Sequence, residues 1–418
     1  MTERLKQLLD GEALALPVPP PAAGAVLRQG RGLRRRHRLV VGASGVAAAV
    51  IVSGTVAALG GGDDPGRAAS DAAAAPASSG AAFSYGNHVF YDGPDHEAVI
   101  DDKAVKSLYY TSAGVLVRHG DNAWSDGGGP QRFSLVTPDG DVQRLALETE
   151  ETVHASDVDQ PYVAYAEAVD GDLEVVVYDV TADTEEARVT VGPTTENWFP
   201  VSIDGDTVYV QDGYDNRIVA VDWRSGTSAE SDVPSAWGVT EGRVGTEVDG
   251  NPAVVDAGNG EVLLTVDDPG YFNLSPDGRY AELVYEGEES VAGSQVEFEV
   301  YDVDTGSSVT FTGPAYDWGW TADGDRFHVG KNEVRTCDSA TGECTTEPYA
   351  QPAIPQPPAV TETQRFPICP AELGDDCFTD NEFMENCYDN PDECEWDEST
   401  YVEEQTIELK LGGRTYES

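Results

Sequence analysis

The sequence is short of cations. Of 418 residues only 25 are Lys or Arg, against 76 Asp or Glu, and the formal net charge is −51. Such a surface repels a phosphate backbone, which excludes nucleic acid as a partner. Histidine is also sparse, and His37, His88, His96, His119, His154 and His328 form no His-x-x-x-His pair or metal triad. There is no Gly-x-Ser-x-Gly elbow, no phosphate-cradling Gly loop and no dinucleotide fingerprint. No single stretch therefore encodes catalysis, and an enzyme would have to assemble its site from scattered residues. Long apolar runs are missing too, with one exception near the amino terminus.

That exception organises the first part of the chain. Residues 1–38 are the basic part, a Pro-rich tail in which Arg28, Arg31, Arg34, Arg35, Arg36 and Arg38 crowd towards the end. Leu39 to Leu59 then holds 21 residues without a charge, enough to span a hydrocarbon core as a helix. Arginines before it, and Asp63 and Asp64 after it, predict a cytoplasmic amino terminus and an extracytoplasmic remainder. A cleaved signal peptide is the rival reading, and the long preceding region argues against it. Residues 60–82, rich in Gly, Ala, Ser, Asp and Pro, read as a flexible linker. A single such anchor predicts a monomer tied to the membrane by its own helix.

From about residue 83 the chain changes to short β-prone runs broken by polar turns. One turn is the fullest: Leu274-Ser275-Pro276-Asp277-Gly278-Arg279-Tyr280. Pro276 presets φ, and Gly278 accepts φ > 0. Looser copies centre on positions 114, 160, 205, 242 and 324, so that with 278 the spacings are 46, 45, 37, 36 and 46 residues. Each unit carries a second turn, at 137–141, 179–184, 222–227, 256–261, 302–307 and 338–343. Two hairpins per unit of ~40 residues make four strands, the blade period of a β-propeller. Trp198, Trp237, Tyr271 and Trp318 precede the first turn of their units, where they either pack between blades or line a ligand surface.

The Ser-Pro-Asp-Gly-Arg-Tyr turn of residues 275–280 is similar to the WD40-like repeats of TolB-type proteins. That resemblance, close in one unit and loose in the others, implies the propeller fold and no TolB activity. The charge pattern and composition resemble bacterial membrane proteins.

Six units fill residues 83–349 except for a first hairpin, 87–91 with 97–100, that has no partner nearby. Residues 405–418 read as another hairpin, turning at Gly412-Gly413. Pairing these two orphans would close a ring of seven blades and remove its free edges. A six-bladed ring with loose terminal hairpins is the alternative.

Between them, residues 350–404 form a Pro-rich and acidic insert. It contains Cys369, Cys377, Cys387 and Cys394, while Cys337 and Cys344 flank the turn at 338–343. All six cysteines follow the apolar segment, which predicts an oxidising compartment and three disulfides. Cys337 and Cys344 sit on adjacent strands and are expected to pair. The other four allow three connectivities. Zinc is disfavoured, because seven, nine and six residues separate the four and no His lies among them. No cofactor is expected beyond calcium, for which the acidic segment 389–393 is the candidate.

The sequence thus predicts an all-β seven-bladed propeller behind an N-terminal transmembrane helix, anchored in the cell membrane. Its expected work is binding an envelope protein, a polymer or a small ligand. The alternatives are a hydrolase or lyase on extracellular sugar or peptide, and a signal transducer acting through residues 1–38.

Overall fold

The computed structural model describes residues 80–123, 129–213, 217–284, 297–355, 360–368, 387, 394–403 and 407–414. The expected anchor at 39–59, the calcium candidate at 389–393, Cys369 and Cys377 lie outside the described residues. Among the described residues no helix is long and apolar enough to cross a membrane.

Seven antiparallel sheets follow one another along the chain. Blade one has strands at Ala104–Thr111, Gly114–Gly120, Gln131–Val136 and Val142–Thr149. Blade two has His154–Ser156, Tyr162–Val169, Asp172–Asp179 and Thr184–Pro193. Blade three has Val201–Asp204, Thr207–Gln211, Ile218–Asp222 and Thr227–Ser231. Blade four has three, Arg243–Val248, Asn251–Asp256 and Val262–Thr265. Blade five has Tyr271–Leu274, Tyr280–Val284, Glu297–Asp302 and Ser308–Thr312. Blade six has Trp318–Trp320, Arg326–Val329, Glu333–Cys337 and Cys344–Pro348. Both turns of every predicted unit fall between strands or, in blade four, at a strand's edge. There the expected innermost strand shrinks to a single bridge between Thr240 and Arg243.

The closing blade joins the two ends of the propeller, but not as a pair of hairpins. Phe83–Tyr85, His88–Phe90 and Glu97–Val99 supply three strands, and Leu409–Leu411 adds the fourth beside Phe83–Tyr85. The ring is therefore seven-bladed, and it is locked three-plus-one. The sequence hides Phe83–Tyr85 because three residues are too few to show alternation. Gly412 and Gly413 are explained by close approach. A Cβ at Gly412 would stand 2.7 Å from Tyr110 Oη and 2.8 Å from Ala82 O.

Strands in a propeller are covered on both faces, and the buried residues show it. Seven apolar clusters lie one at each blade-to-blade interface. Phe83, Phe90 and Leu411 meet Phe327, Val334 and Tyr349 where the closing blade joins blade six. Trp318 and Trp320 fill the interface of blades five and six. The thinnest cluster, between blades three and four, has only Val233, Val239, Val244 and Val255 fully buried. This is the interface that lacks a complete inner strand.

The recurrent Asp-Gly turns also explain themselves here. Asp157 Oδ2 accepts from Gly205 N at 2.9 Å, and Asp204 Oδ2 accepts from Gly242 N at 2.8 Å. In blades two and three the turn acid thus caps the turn of the next blade. Thr240 Oγ1 continues the series by donating to Pro276 O at 2.9 Å. The repeated motif is an inter-blade clasp as well as a tight turn.

Outside the seven sheets, Val360–Pro367 and Trp396–Glu403 pair into a two-stranded ribbon within the insert. Cys337 bonds Cys344 across facing strand positions, as expected, and Cys387 bonds Cys394.

Candidate functional site

The inner strands enclose a cavity of about 530 Å³ on the ring axis, within the usual range for small-ligand sites. Leu108–Tyr110 of blade one, Val153–Ser156 of blade two and Val201–Ile203 of blade three form one side. Trp237–Thr240, Tyr271–Pro276, Trp320 and Gly413–Arg414 form the other. Gly245 and Thr246 of blade four also reach the wall, because no full inner strand stands in front of them. A Cβ at Gly245 would lie 2.4 Å from Phe272 O, so only glycine lets this strand press against blade five.

The chemistry of the wall differs from that of the chain as a whole. Although 76 residues are acidic, no Asp or Glu is among the described residues lining the cavity. Hydroxyl and amide groups come from Ser156, Ser202, Ser235, Thr240, Thr246 and Asn273. Tyr109, Trp237 and Tyr271 add aromatic surface, and Arg414 the one guanidinium. Ser202 is 3% exposed, and its Oγ has no partner among the described residues.

Of the aromatics singled out from the sequence, two line the cavity and two do not. Trp318 is buried between blades, and Trp198 packs against Trp237 at a ring separation of 5.8 Å. Trp237 and Tyr271 line the cavity, with Tyr271 47% exposed. Only Tyr271 and Trp318 of the four sit in an inner strand, so their shared place before the turn does not decide which way each ring points.

Around one end of the inner strands the turn acids gather. Burial raises the pKa of Asp157, Asp277 and Asp325, and neighbouring acids raise them further. Glu241 is raised by burial and then by Asp204, Asp159, Asp157 and Asp277. Among the described residues no group of three or more His, Cys, Asp or Glu could hold a metal ion.

Two buried ionic networks were invisible in the sequence. In the first, Arg326 Nη2 meets Glu282 Oε2 at 2.5 Å, and Arg414 Nη1 meets Glu282 Oε1 at 3.0 Å. The side chains of Glu282 and Arg326 are 0% exposed. Blade five, blade six and the closing strand are thereby tied through one carboxylate. The second network has Asp–His–Ser geometry. His119 Nδ1 donates to Asp102 Oδ2 at 2.7 Å, leaving Nε2 to accept from Ser134 Oγ at 2.9 Å. It is not a nucleophilic triad, because Ser134 is 3% exposed and does not line the cavity. Arg144 Nη1 lies over the imidazole, 3.4 Å from Nε2, and burial lowers the His119 pKa. The network fastens the loop at Asp102 to blade one.

Seven four- or three-stranded sheets around a ligand-sized axial cavity define the class, a seven-bladed β-propeller. No protein-family profile matches the chain, and no curated protein matches it. Solved structures do. The apo form of AztD from Citrobacter koseri is 13% identical over 65% of this chain and 95% of its own, with a TM-score of 0.40. TolB from Acinetobacter baumannii is 11% identical over 65% of this chain and 64% of its own, with a TM-score of 0.34. Hydrazine synthase of Kuenenia stuttgartiensis is 15% identical over 56% of this chain and 76% of its own, with a TM-score of 0.35.

Proposed function

We propose that the protein is a membrane-anchored, extracytoplasmic binding module that takes a small molecule into its axial cavity. One observation carries this reading: a cavity of about 530 Å³ with a hydroxyl-and-aromatic wall whose described residues include no carboxylate, in a strongly acidic chain. The titratable groups among the described lining residues are Tyr109, Tyr110, His154, Tyr271 and Arg414. His154 is 3% exposed and its Nε2 is bonded to Thr149 Oγ1 at 3.0 Å, a structural role. With no carboxylate among the described lining residues, binding is the reading this wall supports best.

The basic tail, the apolar run at 39–59 and the disulfides Cys337–Cys344 and Cys387–Cys394 support placing the propeller outside the cytoplasm.

Saturation-transfer NMR of a fragment library against the full-length protein tests the cavity. Thr246→Trp, which fills the wall from blade four, should abolish the hits while leaving the melting temperature unchanged. Hits that persist in a folded Thr246→Trp protein would place binding elsewhere. Protease added to spheroplasts tests the topology: a tag after Ser418 should be digested and a tag before Thr2 protected.

A further inference from the structure

Two features of the cavity wall narrow the class of ligand, on the reading that the cavity is a binding site. The first is Arg414. Its Nη1 is committed to Glu282 Oε1 and Oε2 at 3.0 and 3.3 Å and to Ala315 O at 3.2 Å. Its Nε and Nη2 have no partner among the described residues, and the side chain is 17% exposed. Glu282 is shared with Arg326, so two guanidiniums stand against one carboxylate. Burial lowers the Arg326 pKa to about 10, which leaves it protonated at neutral pH. The trio of Glu282, Arg326 and Arg414 therefore carries one positive charge in excess, beside a wall whose described residues include no acid. Burial raises the Asp317 pKa, against the opposing pull of His328 and then Arg414, and among the described residues no ion pair joins Asp317 to Arg414.

The second feature is aromatic: Tyr109, Trp237 and Tyr271 line the same cavity as Arg414.

We infer that the ligand is a small aromatic or otherwise planar carboxylate. Arg414 takes its carboxylate through Nε and Nη2, the bidentate geometry that a guanidinium fork offers, and Tyr109, Trp237 and Tyr271 take its planar body. Arg414 stands three residues beyond the end of the closing strand, so the ligand contacts the joint of the ring, and binding tightens the closure.

The test uses full-length protein with matched probes: 4-hydroxyphenylacetate against 4-hydroxyphenylacetamide, and indole-3-acetate against indole-3-acetamide. Each acid should bind at least about tenfold more tightly than its amide, the scale of one charge-assisted bond. Arg414→Gln should bring the acids to the level of the amides and leave the amides unchanged. Should Arg414→Gln fold poorly, the acid-to-amide ratio on the unmodified protein decides alone. Equal binding of acid and amide overturns the anion assignment while leaving the cavity as a binding site. Absence of binding by all four probes overturns both.

Discussion

At the scale of single residues, the ring is fastened by side chains that bridge blades far apart in sequence. Tyr110 is the clearest. Its hydroxyl donates to Trp320 O at 2.9 Å and accepts from Ala82 N at 3.0 Å, joining blades one and six to the start of the closing blade. Burial raises the phenol pKa far above its usual value, so it stays a donor at any physiological pH. Tyr110→Phe leaves Ala82 N and Trp320 O without that partner and should cost about 1–3 kcal/mol, measured by denaturant unfolding. The turn acids work in the opposite sense at neutral pH. Burial, opposed by a bond from Ser275, raises the Asp277 pKa above its ordinary 3.8. The ionised form is thus disfavoured in the folded state, and stability rises as pH falls through the raised value towards 3.8. Asp277→Asn keeps the Oδ1 acceptor for Ser275 Oγ and removes the charge. It should melt higher than the unmodified protein at pH 7, and the difference should vanish near pH 4. A difference that grows on acidification would contradict the assignment.

At the scale of elements, blade four is the weak member. It has three strands where the others have four, and its contact with blade three rests on the smallest buried cluster. Local opening follows the density of buried apolar contacts, so this interface should open first. Hydrogen exchange should therefore be fastest at Arg243–Val248 and slower in blades two and three, which share fifteen buried apolar residues. Uniform protection across the seven blades would refute this. Much of this element scale was legible beforehand. Both turns of all six units, including Ser275–Tyr280, came from Pro, Asp and Gly chemistry that acts over four residues. The missing inner strand of blade four was not legible, because nothing in Trp237-Gly238-Val239-Thr240 announces that Gly238 takes φ +71° and leaves only the Thr240–Arg243 bridge.

At the scale of the whole molecule, charge dominates. A net charge of −51 makes the folded state repel itself. Raising NaCl from about 0.01 M to about 0.1 M shortens the screening length from roughly 30 Å to roughly 10 Å. The melting temperature should therefore rise with salt; a flat or falling profile would show that local ion pairs such as Arg188 with Glu167, Glu174 and Glu185 outweigh the global repulsion. The same acidity makes it informative that the described residues of the cavity wall include no carboxylate, since this runs against the composition of the chain.

The sequence by itself determined the blade period, the turn at each hairpin, the pairing of Cys337 with Cys344 and the need for the two ends to meet. All of these follow from interactions between residues close together or from counting free strand edges. Only the tertiary structure decided that the ends meet three-plus-one, that Trp237 and Tyr271 face the cavity while Trp318 does not, and that Arg414 joins Glu282 beside it. The reason is physical: the cavity is built from positions spread between residues 108 and 414, and no local pattern records which of them a closed ring brings to its axis.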